Sequence, residues 1–403
     1  MIRGNAIVGQ SGGPTSVINA SLVGVVDAAQ KYSDIAGIYG MRFGIEGFMQ
    51  DQLVDLGAQP RQTLDGLRRT PSSGLGSCRH KVKEKDFPKI LEQLHRHHIR
   101  YFFLIGGNDT MDTIHRVEAY CRAQGYELTG IGIPKTVDND LFGTDHTPGY
   151  GSCATYVACS VAQGGILARD MRKVDQVVIF QTVGREAGWL PAAAALAKKD
   201  EADPPHLIYM PERPFDRDRC LADVQNAIGK FGFCSVVCGE GIAYDDGTPV
   251  SASSTLDKFS NTEFGAMGGT SAAMMIHRMI CQELGVRGEF QIPESLQMCA
   301  SDRVCELDLE EAYQCGREAV RLAAEGLSGV MVTLVRPEGE YRTTLGTAAL
   351  AEVAVRTKPM PPSFINEQGN FPTQAFLDYA RPLVGRIGEF TTLKMVAPIP
   401  QAE

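Results

Sequence analysis

The sequence predicts an α/β protein with two domains built on parallel sheets. Short apolar runs alternate with helical patterns over much of residues 5–241. Most of these runs end in a glycine-rich or polar cluster. A chain of 403 residues exceeds one ordinary core and suits two. Brief apolar strands between helices imply parallel sheets covered on both faces. Such sheets hold ligands outside the carboxyl ends of their strands, so the clusters are expected to form one site.

Asn5–Val8 is the first run; it meets Gly12–Gly13 and then the helical pattern SVINASLVGVVDAAQKY. Ile99–Ile105 runs into Gly106–Gly107, with a helix expected from Met111. Leu128–Ile133 stops at Pro134. Gln176–Thr182 leads through Val183–Gly184–Arg185 to the Ala-rich PAAAALAKK helix. HLIYM and CSVVCGEG read as two further strands. PGYGS near Tyr150 interrupts the rhythm and marks a domain change, and the chain is expected to return to the first domain around Gly268–Gly269. From about Thr344 the tail is Pro-rich, and PMPPS cannot continue a helix, so a packed extension is expected there.

Composition narrows the function. Hydrophobic residues at 43% and charged residues at 22% are ordinary for a globular protein. A net charge of −9 disfavours nonspecific DNA, RNA or anionic-membrane binding. A single Trp argues against a large aromatic binding surface. The eleven Cys are odd in number and lack disulfide-like spacing; Cys234 and Cys238 lie in an apolar run and read as buried thiols. MIRGNAIVGQSGG carries no signal-peptide pattern, and no run reaches the ~18 apolar residues of a membrane span. A cytoplasmic protein is expected.

The clusters carry the chemistry. Gly12–Gly13–Pro14–Thr15 lets backbone amides approach an anion at a helix start, although a plain tight turn uses the same residues. Gly106–Gly107–Asn108–Asp109–Thr110 repeats that arrangement with oxygen donors suited to a metal–phosphate, or else caps the following helix. In Pro134–Lys135–Thr136–Val137–Asp138–Asn139–Asp140, one acid is able to accept a hydroxyl proton while the other helps hold a metal. Lys135 adds a point charge for phosphate; the plain alternative is a polar loop with Asx turns. His95–His98 has ligand-like spacing, but its position before a strand places it on a solvated helix end. His146 is assigned to loop structure.

GQSGGPTSVINASL, IGGNDT, PKTVDNDLFGTDHTPGYGS, VGREAGW and MPE occur in that order, and across residues 3–330 the chain resembles the phosphofructokinase family. The resemblance implies two Rossmann-like three-layer α/β domains with the active site in the cleft between them. The expected boundaries are 1–149 with about 257–300 for the phosphoryl-donor domain and 150–256 with about 301–343 for the sugar-phosphate domain. Residues 344–403 form the C-terminal extension. It further implies Asp138 as base on the sugar 1-hydroxyl, flanked by Thr136 and Val137, and Asp140 as the acid supporting Mg²⁺. Gly12, Gly13, Arg79, Gly107 and Thr110 would face the donor. Val183, Gly184, Arg185 and Glu212 would contact the sugar. Asn108 stands where the family usually has a Mg²⁺-linked Asp, which leaves direct ligation there open.

Two positions bear on the donor. ATP-dependent members resemble G-G-D-G-S and P-G-T-x-D-N-D, whereas this chain has Asp109 and Lys135 at the variable places. A carboxylate at Asp109 adds bulk and charge where the α-phosphate of ATP would sit. Lys135 suits the terminal phosphates of a compact donor. The resemblance therefore implies reversible phosphorylation of fructose 6-phosphate by pyrophosphate with Mg²⁺, in a homodimer or homotetramer. An ATP-dependent enzyme is the first alternative and a non-catalytic regulatory subunit the second. FGAMGGTS at Phe264–Ser271 lacks the cation the family pattern has there, and Gln176 replaces an expected Arg. Lys358, Tyr379 and Arg381 are then candidates for the sugar 6-phosphate, each also readable as structural.

Overall fold

The computed structural model describes residues 2–252, 268–339, 341–391 and 393. Two sheets organise it. The larger has seven strands in the order β11-β10-β5-β4-β1-β2-β3. These are β1 (Gly4–Gln10), β2 (Ile35–Met41), β3 (Leu53–Asp55), β4 (Ile99–Gly106), β5 (Thr129–Pro134), β10 (Val330–Val335) and β11 (Thr344–Ala349). The smaller has four strands, β7-β8-β6-β9, all parallel. They are β6 (Val177–Thr182), β7 (Leu207–Tyr209), β8 (Cys234–Gly239) and β9 (Gly288–Gln291). In the large sheet only β2–β3 and β10–β11 are antiparallel. The α/β class of parallel sheets expected from the apolar runs is what folds.

The runs are continuous rather than alternating because both faces are covered. On β1 and β4, Ala6, Val8, Tyr101 and Phe103 enter one core, while Ile7, Phe102 and Leu104 enter the core on the opposite face. In the small sheet, Val177, Ile179, Val236 and Cys238 face one core and Phe180 and Val237 the other. Cys234 and Cys238 are buried in β8, and all eleven cysteines are free.

Several elements differ from expectation. The strands β2, β3, β9, β10 and β11 were not anticipated. The helix that follows β4 starts at Asn108, not Met111, with Gly107 before it and no side-chain cap. The Ala-rich stretch makes one α turn, Trp189–Ala193, then a 3-10 turn, Ala194–Ala197. It is buried all round, so tertiary packing rather than helix propensity sets its length.

The sheet assignments also reverse the expected return of the chain. Residues within 257–300 were placed with the first domain, yet β9 and the helix Ala272–Leu284 pack on the small sheet. Residues 301–343 were placed with the second, yet β10 joins β5 in the large sheet. The helix Glu306–Ala324 lies against the helix Ile18–Ala29 at glycine contacts. A Cβ on Gly24 would meet Tyr313 O at 2.2 Å, and one on Gly316 would meet Ser21 O at 2.0 Å. That close backbone approach ties residues 306–324 to the first sheet. The tail contributes the edge strand β11. It then sends Met360, Ile365, Phe376, Ala380 and Leu383 into the core around Trp189.

Candidate active site

The carboxyl ends of β1, β4, β5, β6 and β8 converge on one cavity of about 770 Å³. Both sheets contribute, as the strand-end rule requires. Gly12, Gly13, Arg79, Gly107, Asn108, Asp109, Thr110, Lys135, Thr136, Val137, Asp138, Asp140, Val183, Gly184 and Arg185 all line it.

The β5 end is the most strongly perturbed part. Lys135 is buried, its backbone N–H donates to Gly106 O at 3.1 Å, and its ammonium donates to Gly13 O at 2.6 Å. Burial pulls its pKa down to about 8, against the pull of Asp138 and Asp140. Asp138 donates its backbone N–H to Thr136 Oγ1 at 3.1 Å. Burial, with Asp140 and Glu240 nearby, pushes its carboxyl up to about 7. Burial also raises Asp140, with Lys358 and Lys135 opposing. From the other sheet, Gly184 takes φ +110°, and a Cβ built there would lie 3.6 Å from Asp138 Oδ1. The β6 turn thus approaches the acid closely.

Other expected residues are placed differently. Gly12 N–H donates to Cys78 O at 3.1 Å, so this glycine, at φ +75°, shapes the turn rather than offering its amide to an anion. Asn108 Nδ2 donates to Val353 O at 2.8 Å and Arg356 O at 2.7 Å. A carboxylate there would face two carbonyl oxygens without a donor, which explains an amide at this position. Asp109 sits at the mouth with a 75%-exposed side chain, 3.2 Å from Lys81. Glu212 does not line the cavity. Its Oε1 accepts from Gly188 N at 2.8 Å and Met360 N at 3.3 Å, while its buried Oε2 has no partner.

Lys358 and Tyr379 also lie outside the cavity lining, with their polar atoms turned to residues 139–145. Arg381 is exposed on a 3-10 turn. Gln176 immediately precedes β6, at the end of the sheet opposite the cleft. Phe264–Met267 lie outside the described residues. His95 packs on Tyr126, and His97 pairs with Asp51 at 2.5 Å, on a helix end as expected. His146 is more than loop structure: it is buried between Asp145 at 2.8 Å and Glu311 at 2.7 Å.

Sequence reasoning missed Glu240, Lys81 and the segment 294–298. Glu240 follows β8 directly, so the strand-end argument applied to CSVVCGEG would have found it. Its carboxylate lies 3.8 Å from Arg185 Nε, and burial raises it to about 7. Segment 294–298 enters from the chain's return and carries no local signal. Its Met298 methyl would meet a Cβ on Gly13 at 2.6 Å, and Gln297 Oε1 accepts from Val183 N at 3.3 Å.

Residues 5–322 match the Phosphofructokinase family. The chain belongs to the phosphofructokinase family. Among its relatives is a pyrophosphate–fructose 6-phosphate 1-phosphotransferase of Halomonas elongata, 38% identical over 95% of this chain and 92% of that one. Another of the same name, from Methylococcus capsulatus, is 37% identical over 98% of this chain and 97% of the relative. The crystal structure of a pyrophosphate-dependent phosphofructokinase from Marinobacter aquaeolei superposes with a TM-score of 0.86. It is 36% identical, covering 97% of this chain and 94% of that one.

Proposed function

We propose that this protein transfers a phosphoryl group between pyrophosphate and the 1-hydroxyl of fructose 6-phosphate, forming fructose 1,6-bisphosphate and phosphate reversibly. The observation that carries the reading is the grouping of Asp138, Asp140 and Lys135 at the end of β5, facing the turn of Gly184 across the cleft. The names of full-length relatives support the same donor and acceptor.

Phosphoryl transfer rests on positioning and on charge stabilisation. Asp138, held near pKa 7 by burial and by its acidic neighbours, is matched to taking the 1-hydroxyl proton near neutral pH. In the reverse direction the same carboxyl returns the proton. Lys135 and Arg79 face the charge that spreads over the donor, with the amide of Gly13 in place of that of Gly12. Arg185, placed beside Glu240, serves the acceptor side.

Mg²⁺ fits this donor set in the manner usual for that ion, through one or two carboxylates completed by substrate phosphates. Among the described residues there is no self-sufficient cluster of three or more His, Cys, Asp or Glu ligands. Asp140 would hold the ion, and the Asn108 amide oxygen is the second candidate ligand. When bound, the ion neutralises phosphate charge. A homo-oligomeric enzyme of the glycolytic step, working in the cytoplasm, completes the reading. Eleven free thiols accord with a reducing compartment, and among the described residues no helix is long and apolar enough to cross a membrane.

Initial rates on fructose 6-phosphate with Mg²⁺, comparing pyrophosphate and ATP at equal concentration, test the proposal. Turnover with pyrophosphate is expected. Turnover with ATP alone would retain the family and refute the donor, and silence with both would refute the activity.

A further inference from the structure

Asn139 stands between the two cleft acids, yet it is fully buried and faces away from the cavity that Asp138 and Asp140 line. Its φ of +55° lies in the left-handed region, where Asn is among the few tolerated side chains. Two carboxylates on a left-handed kink, desolvated and mutually repelling, need support from elsewhere. That support comes from the C-terminal tail.

Tyr379 and Lys358 make the contacts. Asn139 Nδ2 donates to Tyr379 OH at 2.9 Å, and that hydroxyl donates to Asp145 O at 2.7 Å. The Lys358 ammonium reaches Asp145 O at 2.6 Å, Thr144 O at 3.3 Å and Asn139 Oδ1 at 3.4 Å. An ammonium has three protons to donate, so these acceptors fill it. The backbone follows the same path: Lys358 N donates to Asp140 O at 2.7 Å, and Thr357 bridges Leu141 antiparallel. The tail is itself braced. Trp189 Nε1 donates to Lys358 O at 3.3 Å, and Arg336 lies over the Tyr379 ring at 4.7 Å while donating to Tyr379 O at 2.9 Å.

We propose that Lys358 and Tyr379 are positioning residues: from behind the loop they fix the backbone of residues 139–145, and so set where the carboxylates of Asp138 and Asp140 point into the cleft. The inference rests on the activity proposed above for its kinetic consequence. An error of about 1 Å in a reacting group costs on the order of 100-fold in rate. Neither side chain touches the cavity, so their effect is on kcat and not on substrate affinity.

The test uses Tyr379→Phe, which keeps the ring and removes the hydroxyl, and Lys358→Met, which keeps the stem and removes the charge. Pyrophosphate-dependent rates are measured with amide hydrogen exchange on the full chain. In both variants kcat should fall about 10- to 100-fold with KM for each substrate near the wild-type value. Exchange should quicken within residues 139–147 and stay unchanged elsewhere. A raised KM for fructose 6-phosphate with kcat retained would overturn the proposal and make the pair a ligand contact. Unchanged kcat and unchanged exchange would reduce them to packing. If Lys358→Met does not fold, Tyr379→Phe decides alone. A wild-type protein that ignores pyrophosphate would refute the activity, and the exchange data would still decide whether the tail holds the loop.

Discussion

The stretch from Lys135 to Thr147 has two sides, and they treat buried charge in opposite ways. On the cleft side, Asp138 and Asp140 crowd each other and Glu240, and burial moves Asp138 to about 7 and Lys135 to about 8. On the far side, His146 is clasped by Asp145 and Glu311, and Glu311 also accepts from Tyr341 OH and Thr343 Oγ1, each at 2.8 Å. There the carboxyls of Asp145 and Glu311 are held below their usual range and His146 above its own, because each charge has a partner that outweighs the burial. Burial alone therefore does not mark a site. In the cleft, burial is joined by mutual repulsion among the acids, which a substrate or ion can relieve.

Asp138→Asn is the hardest test of that contrast. It keeps the shape and removes the base, so turnover should fall by about 10²–10⁴-fold. The same change takes one negative charge from a crowded group, so the thermal midpoint should hold or rise. A protein that lost stability along with rate would show that the Asp138 charge is a structural partner after all, and the two sides would no longer differ in kind.

Asp109→Gly probes the donor end with a smaller effect. The carboxylate is largely exposed and already paired with Lys81, so it is a mild barrier to a longer donor and not a wall. Turnover with ATP should rise by about tenfold relative to pyrophosphate, in the range that pocket contacts alone discriminate. An unchanged ratio would move donor choice to Lys135 and to Met298, whose methyl lies against Gly13.

How legible was this in the sequence? The strands that end in the cleft were, because a parallel strand buried on both faces is a continuous apolar run, and Ile99–Gly106 or Val177–Thr182 have no other reading. The edge strands β3, β9 and β11 were not, nor were the interior strands β2 and β10, whereas the buried edge strand β7 is legible in HLIYM. Gly288–Gln291 and Thr344–Ala349 are half-covered and carry little apolar signal, and without the first of them residues 257–300 read as part of the first domain. In the cleft, the residues that were legible follow a strand directly. Met298 was hidden because it arrives from a distant segment. The grip of Lys358 and Tyr379 on Asn139 was hidden because it spans more than two hundred positions. Glu212 was expected at the sugar and is instead bonded to the backbone of Gly188 and Met360, a use that no local pattern announces.

The far side is sharpened by pH, with the smallest effect of the series. His146→Gln keeps a hydrogen-bonding side chain and removes the titration. Because the folded His146 pKa lies above its ordinary 6.5, its charge contributes stability that is fully present below about 6.5 and is lost as pH rises through the folded value. Asp145 and Glu311 work the other way. Their folded values lie below the ordinary 3.8 and 4.5, so their contribution is present above those values and is lost as pH falls through the folded ones. The three charges coexist in the window between, and there the thermal midpoint of the wild type should exceed that of His146→Gln by the most. The gap should narrow as pH rises through the folded His146 value, above which the imidazole is neutral in both folded and unfolded chains. A gap that shows no dependence on pH above about 5 would mean that His146 serves as a neutral spacer. The far side would then owe its rigidity to the carbonyl contacts of Lys358 and Tyr379 and not to paired charge.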